Sequence, residues 1–153
     1  MLEGSLHAGG GTLEDGYDGE AIHWIIRKNQ ELIAAARLTV HQDLTCVPDV
    51  HLFSSTIASA AIFPAGYISR LVVHPEERGN GIAKHLDELR IGEAFNHSCK
   101  TLMVVYNPLS GESRRQQLLR LGFRSLDNET ARADGAFGVS SLYLMDLTCF
   151  RLQ

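Results

Sequence analysis

Arg78, Gly79, Asn80, Gly81, Ile82 and Ala83 form a run whose residue types and spacing suit the binding of a phosphate. Before it, Tyr67 to Val73 is rich in β-branched and aromatic residues and reads as a buried strand, closed by His74 and Pro75. After it, Ile82, Leu86 and Leu89 recur at helical spacing, so the run is a helix's first turn. A helix start leaves N–H groups unpaired and carries partial positive charge, and two glycines let an anion approach the main chain without meeting a Cβ. Arg78, Lys84, Arg114 and Arg115 can supply formal positive charge to the same patch. The spacing is not that of a P-loop, which needs Lys-Ser/Thr after its last Gly, nor of the dinucleotide fingerprint, which needs a third Gly and a later acidic residue. Read alone, the run is also an ordinary strand–turn–helix junction whose glycines only make the turn.

Proton-transfer candidates are few. Tyr67 and Tyr106 lie on expected central strands and can donate from their phenols, and His74 is a base by virtue of its pKa range. Each is equally readable as packing or surface. The remaining histidines show no metal spacing: there is no His-Glu-x-x-His, and His97 with Cys99 lacks partners, so no metal site is expected.

The elements that must position these residues follow the order strand, strand, loop, strand, helix, strand, helix, strand, strand. Ala21 to Arg27 and Leu32 to Val40 read as a hairpin joined around Lys28, Asn29 and Gln30, and His41 to Ala65 is a long connection with two prolines. Leu102 to Tyr106 is a short apolar strand closed by Asn107 and Pro108. Ser113 and Gln116 predict a capping box opening a helix that Gly122 ends. Phe123 to Leu126 and Ser141 to Leu147 are the last two strands, flanking a loop with Asp134-Gly135. Residues 1–14, with Gly9, Gly10 and Gly11, read as a flexible lead-in, and 15–153 as one domain.

At 153 residues, with 44% hydrophobic and 21% charged positions, the chain has globular rather than disordered or membrane composition. Its net charge of −4 argues against a general nucleic-acid binder, so no nucleic acid is expected as partner. Cys46, Cys99 and Cys149 are odd in number and form no Cys-x-x-Cys pair, and residues 1 to 20 lack a signal peptide's apolar core. A cytoplasmic protein is the expectation. The weakly polar stretch from Ile57 to Ile68 is broken by Pro64 and Gly66 and is too short to span a membrane.

Arg78, Gly81 and Ala83 fill the three fixed places of the pyrophosphate-binding signature of the GCN5-related N-acetyltransferase (GNAT) superfamily, and the element order resembles that fold from its second strand onward, over roughly residues 15 to 147. The resemblance implies an α/β protein with a mixed central sheet flanked by helices. The superfamily's first strand and early helices are missing or shortened here, and a homodimer partner covering the exposed edge is one way to replace them. It also implies acetyl-CoA or another acyl-CoA as acyl donor. Its pyrophosphate would lie on Gly79 to Ala83, its pantetheine beside Leu71, Val72 and Val73, with Asn107 at a position that contacts the arm in the family. In the family a bulge and divergence of the two central strands free a backbone N–H for the oxyanion. Many members carry a tyrosine acid where this chain has Leu118, so Tyr67, Tyr106 and His74 are the substitute candidates for catalysis.

On the acceptor side, Asp15, Tyr17, Asp18, Arg37-Leu38, Phe53 and Ser69-Arg70 resemble the pattern of the acyl-homoserine-lactone synthases and related N-acyl amino acid synthases, a branch of the same superfamily. Asp15, Asp18, Arg37 and Arg70 fill the places of that branch's fixed polar residues. The acidic residue it usually carries three positions before the last arginine is here Tyr67. The expected activity is acyl transfer, foremost acetyl, from acyl-CoA to the primary amine of a small, amino-acid-like acceptor. Two alternatives stay open: a synthase fed by an acyl carrier protein, and a non-catalytic acyl-CoA-binding or interaction domain.

Overall fold

The computed structural model describes residues 7–8, 11–12, 15–49, 53, 59–126, 133–135 and 138–149. In the lead-in, His7–Ala8 (β1) pairs with Gly11–Thr12 (β2), and the rest of residues 1–14, including the Gly9-Gly10 pair, lies outside the described residues. The hairpin follows as Ile22–Lys28 (β3) and Glu31–His41 (β4). Asn29 and Gln30 both hold positive φ, 50° and 68°, the geometry of a two-residue turn whose twist matches that of the strands it joins.

Ala65–Val73 (β5) leads through the glycine run into helix α1, Ile82–Asn96, and back to Thr101–Tyr106 (β6). Helix α2, Glu112–Leu121, precedes Arg124–Ser125 (β7), Ala133–Gly135 (β8) and Gly138–Asp146 (β9). The sheet runs β3-β4-β5-β6-β9-β7, with β8 added to β9, and is antiparallel except where β5 meets β6. Among the described residues no strand pairs with the outer edge of β3.

Two expectations are corrected. Asp134-Gly135 is strand, not loop, paired to Val139 and Gly138. No capping box opens α2: Gly111, at φ 86°, turns the chain out of the Pro108–Ser110 turn and is itself the N-cap, so the helix begins at Glu112 and Ser113 lies inside its first turn. Gln116 reaches Glu112 instead, at 2.7 Å.

Strand alternation gives the sheet two distinct faces. Leu38, Ile68, Leu102, Val104, Tyr143 and Met145 pack against Ala94 and Leu118 of the helices. Ala65, Tyr67, Met103, Leu142 and Leu144 pack on the other side against Val47, Phe53 and Ala61. Gly66 leaves room for its strand neighbours on the helix face: a Cβ there would stand 2.7 Å from Leu102 Cδ1 and 3.1 Å from Leu38 Cδ1, so both side chains would have to shift, and 3.4 Å from Ala94 Cβ on α1. Buried on α1 are Leu86, Asp87, Arg90 and Ala94, whereas Leu89, expected on the apolar stripe, is 39% exposed. An arginine occupies the stripe because its charge is matched there, as the site makes plain.

Candidate functional site

The site begins with a lost ladder. Strands β5 and β6 pair in parallel only from Ala65–Thr101 to Ile68–Val104, after which they diverge. On its other edge β5 carries a bulge: Ala35 faces Val72 and Arg37 faces Ser69, so Arg70 and Leu71 together stand opposite Ala36. Arg70 holds φ at 55°, the left-handed region that glycine usually occupies at such bulges. The bulge shifts the alternation by one residue. Ile68 faces the helices before it, Leu71 and Val73 face them after it beside Leu86 and Ile82, and Arg70 is turned to the opposite face.

The divergence opens a cleft of about 640 Å³ that reaches both faces of the sheet. At one end it is lined by Arg78, Ala83, Ser113, Arg114 and Gln117, and at the other by Asp49, Tyr67, Ser69 and Arg70. Leu71, Val73, Val105 and Tyr106 form its walls.

At the basic end, Gly79 and Gly81 hold φ at 80° and 79°, and a Cβ at either would meet nothing within 4 Å, so space stands open over the helix start. Gly81 caps α1 without a side-chain acceptor, leaving the first-turn N–H groups to an incoming ligand. Arg78 is steadied by donating Nε to the Val73 carbonyl at 3.2 Å. A pyrophosphate fits this cradle on charge, on free donors and on room.

The opposite end is an ionic cluster. Arg37, 2% exposed, donates Nη1 to Asp15 and Asp18, both at 2.8 Å, and Nε to Ser69 Oγ at 3.0 Å. Arg70 donates Nη2 to the other Asp15 oxygen at 2.9 Å. Burial works against the charge of Asp15, but hydrogen bonds from Arg37, the Tyr17 N–H and Arg70 outweigh it and hold the carboxyl below its ordinary range. Asp18 is lowered too, its burial outweighed by the Asp15 N–H and Arg37. These two carboxylates are therefore matched by the two arginines. The carboxylate left facing the cleft is Asp49, at φ 60°, which accepts the Tyr67 hydroxyl at 2.8 Å. Burial, then the adjoining Asp49 charge, push the Tyr67 phenol well above its ordinary range, so it stays a neutral donor.

The other expected site residues are placed as follows. Tyr106 lines the cleft and donates its hydroxyl to the Gly111 carbonyl at 3.3 Å. His74 caps the Pro75–Glu77 turn, its Nδ1 accepting from the Glu76 N–H, and does not line the cleft. Val72 is 59% exposed beyond the bulge, and Lys84 pairs with Glu88 at 3.7 Å on the outer side of α1. Asn107 caps the Pro108–Ser110 turn through Leu109 N and donates to Ser140 Oγ at 3.2 Å. Asn80 lies between the two left-handed glycines, and Ile82 packs beside Leu86. Asp49, Asp87, Arg90 and Gln117 were not foreseen. A Pro-Asp step in a long inter-strand connection hinted at the first, and a charge four residues after Leu86 hinted at Arg90.

A buried network underlies the cleft. Asp87, fully buried, receives Arg90 from its own helix, both Nη atoms of Arg114 and, at 2.7 Å, Gln117 Nε2. Arg90 in turn donates Nη1 to the Ser69 carbonyl at 3.2 Å and the Arg37 carbonyl at 3.5 Å.

A mixed sheet with one parallel pair that parts over a glycine-capped helix defines an acyl-CoA N-acyltransferase architecture. Residues 6–123 match the profile of the Acetyltransferase (GNAT) family, and the chain belongs to that enzyme family. No curated protein matches the sequence. Among solved structures, it is similar to the IAA acetyltransferase from Bacillus cereus ATCC 14579, with TM-score 0.59 and 14% identity over 86% of this chain and 81% of that one. A GNAT family acetyltransferase from Elizabethkingia anophelis with acetyl-CoA bound gives TM-score 0.59 and 18% identity, covering 86% and 79%. An acetyltransferase from Streptococcus agalactiae 2603 gives 0.59 and 15%, covering 86% and 70%. Among the described residues no helix is long and apolar enough to cross a membrane.

Proposed function

We propose that the protein transfers an acetyl group from acetyl-CoA to the primary amine of a small, amino-acid-like acceptor. The observation that carries the reading is one continuous cleft through the parted strands, lined at one end by Arg78, Ala83 and Arg114 beside the start of α1 and at the other by Asp49 and Arg70. Gly79 to Ala83, Arg78 and Arg114 hold the pyrophosphate of the donor, and the groove walls Leu71, Val73 and Tyr106 take its arm. Acetyl-CoA, the donor in the Elizabethkingia structure's description, supplies a thioester whose acyl carbon is open to an amine.

At the other end Asp49 holds the acceptor's ammonium and takes its proton, and Tyr67 fixes the orientation of that carboxylate. The freed amine bonds to the acyl carbon as the C–S bond breaks, and coenzyme A leaves as the thiolate and takes the amine's second proton. The exposed guanidinium of Arg70 receives the acceptor's carboxylate, while Arg37 with Asp15 and Asp18 forms the frame behind it. Clustering of these four residues supports kinship with the acyl-homoserine-lactone and N-acyl amino acid synthase branch, and the pyrophosphate cradle favours free acyl-CoA over a carrier protein.

The test is a melting series followed by turnover. Saturation at a hundredfold over Kd stabilises a fold by about 2.7 kcal/mol, so acetyl-CoA should raise Tm where acetate and free adenine do not. A screen of amino acids, their decarboxylated amines and their N-blocked forms should then show transfer only where a free amine is present. A melting curve unmoved by millimolar acetyl-CoA overturns the reading, and strong preference for an acylated carrier protein moves it to the carrier-fed synthase.

A further inference from the structure

Fully buried arginines are rare, and an apolar side chain of similar volume commonly packs as well or better. Arg90 therefore requires an explanation that packing does not supply. Its guanidinium is fully buried beneath the bulge and divides its donors three ways: Nη2 to Asp87, Nη1 to the carbonyls of Ser69 and Arg37, and Nε back to Leu86 at 3.3 Å. Ser69 is the residue just before left-handed Arg70, on the stretch of β5 that has left β6, and Arg37 is its partner across the ladder. A bulge disrupts ladder hydrogen bonds, and a buried carbonyl without a donor is costly. Methionine or leucine would fill a similar volume and take the Arg90 donor away from both carbonyls.

We propose that Arg90, clamped by Asp87, is a positioning residue for the transfer site: it holds the Ser69 and Arg37 carbonyls at the bulge and so fixes the Ser69–Arg70 peptide plane on the stretch of β5 that lines the cleft. Burial draws the Arg90 guanidinium down to about 10, its charge favoured by Asp87 and opposed by Arg114, so it remains charged at neutral pH. Asp87 ties the same clamp to α2 through Arg114 and Gln117, which line the basic end of the cleft. One carboxylate thus links the strand that presents the acyl group to the helix that borders the cradle. The proposal rests on the acetyltransferase reading for its catalytic consequence but not for its structural one.

Arg90→Met and Arg90→Lys test it. Asp87 keeps Arg114 and Gln117 in both variants, so the carboxylate is not orphaned. In the free protein, amide hydrogen exchange should quicken across Ser69 to Val73 in Arg90→Met while α1 and β6 keep their protection. With substrates, kcat should fall about 100-fold, the scale of an ångström-sized misplacement, with the Kd of acetyl-CoA and the acceptor KM nearly unchanged. Arg90→Lys should sit between, since an ammonium can pair with Asp87 but cannot bridge two strands. Unchanged strand exchange in folded Arg90→Met overturns the proposal, as does loss of protection spread evenly through α1 and β6. If Arg90→Met does not fold, Arg90→Lys decides, and wild-type exchange and kcat in that variant overturn the proposal equally. Should the wild-type protein neither bind nor use acetyl-CoA, the acetyltransferase reading falls, while the exchange measurement still judges Arg90.

Discussion

Replacing Arg70 with glycine separates the role of its guanidinium from that of its backbone. Arg70 sits at φ 55°, where a side chain costs roughly 1–2 kcal/mol that glycine does not incur. Against that gain, the ion pair to Asp15 is solvent-facing, with the Arg70 side chain 38% exposed, and pairs of this kind are worth about 0–1 kcal/mol. Glycine also loosens the unfolded chain by roughly 0.5–1 kcal/mol. These contributions nearly cancel, so Tm of Arg70→Gly should stay within about 3 °C of wild type. Function should not be spared. If the guanidinium receives the acceptor's carboxylate, its loss removes a charged hydrogen bond worth about 1.5–3 kcal/mol, or about 10- to 150-fold in kcat/KM for carboxylate-bearing acceptors. Decarboxylated amines should show little change, and acetyl-CoA affinity should hold. Steady-state kinetics on matched acceptor pairs, with a melting curve and a titration of acetyl-CoA, measure all three. Equal losses for both acceptor types, or none for either in a folded protein, refute the assignment of Arg70 to the acceptor.

Gly81→Asp places a Cβ and a carboxylate over the helix start at φ 79°, a strained conformation that aspartate adopts more readily than most side chains, so calorimetry should show acetyl-CoA binding abolished while circular dichroism stays native. Asp49→Asn keeps a partner for the Tyr67 hydroxyl but cannot take a proton, so kcat should drop about 10²- to 10⁴-fold, with the Kd of acetyl-CoA unchanged. His41, buried against Thr39 Oγ1 at 2.7 Å, has its pKa lowered by burial and then by the Arg37 charge. Its contribution to stability is complete above the unfolded value of 6.5 and is lost as pH falls below it, so Tm should decline through that window in wild type and less in His41→Gln.

The strands of the main sheet other than β8, both helices and the turn at the glycine run were readable because each rests on local chemistry: apolar and β-branched residues in Ile22–Lys28 and before Pro75, and two glycines at positive φ ahead of α1. Asp15, Asp18, Arg37 and Arg70 were recognisable as a set, and the structure brings all four into contact. What stayed hidden depends on tertiary partners. The family resemblance implied a bulge, but nothing in Ser69-Arg70-Leu71 places it there, since the left-handed residue is an arginine paired with an aspartate far off in sequence. Asp87 and Arg90 carry no local signal of burial, because the partners that match their charges, Arg114 and Gln117, come from α2. Ser113 and Gln116 matched a capping pattern, but the left-handed turn at Gly111 starts the helix earlier than any side chain could.

The extra residue in β5 makes the chain's length, and not only its lettering, part of the active architecture. Deleting Arg70 would restore a regular ladder with Leu71 opposite Ala36, leaving Leu71 and Val73 on the helix side where they stand now and removing the one residue that is turned out of phase. Point substitutions here trade one side chain for another in place. A one-codon loss would instead close the bulge that turns Arg70 out of the ladder, so this segment should tolerate spelling changes far better than changes of count.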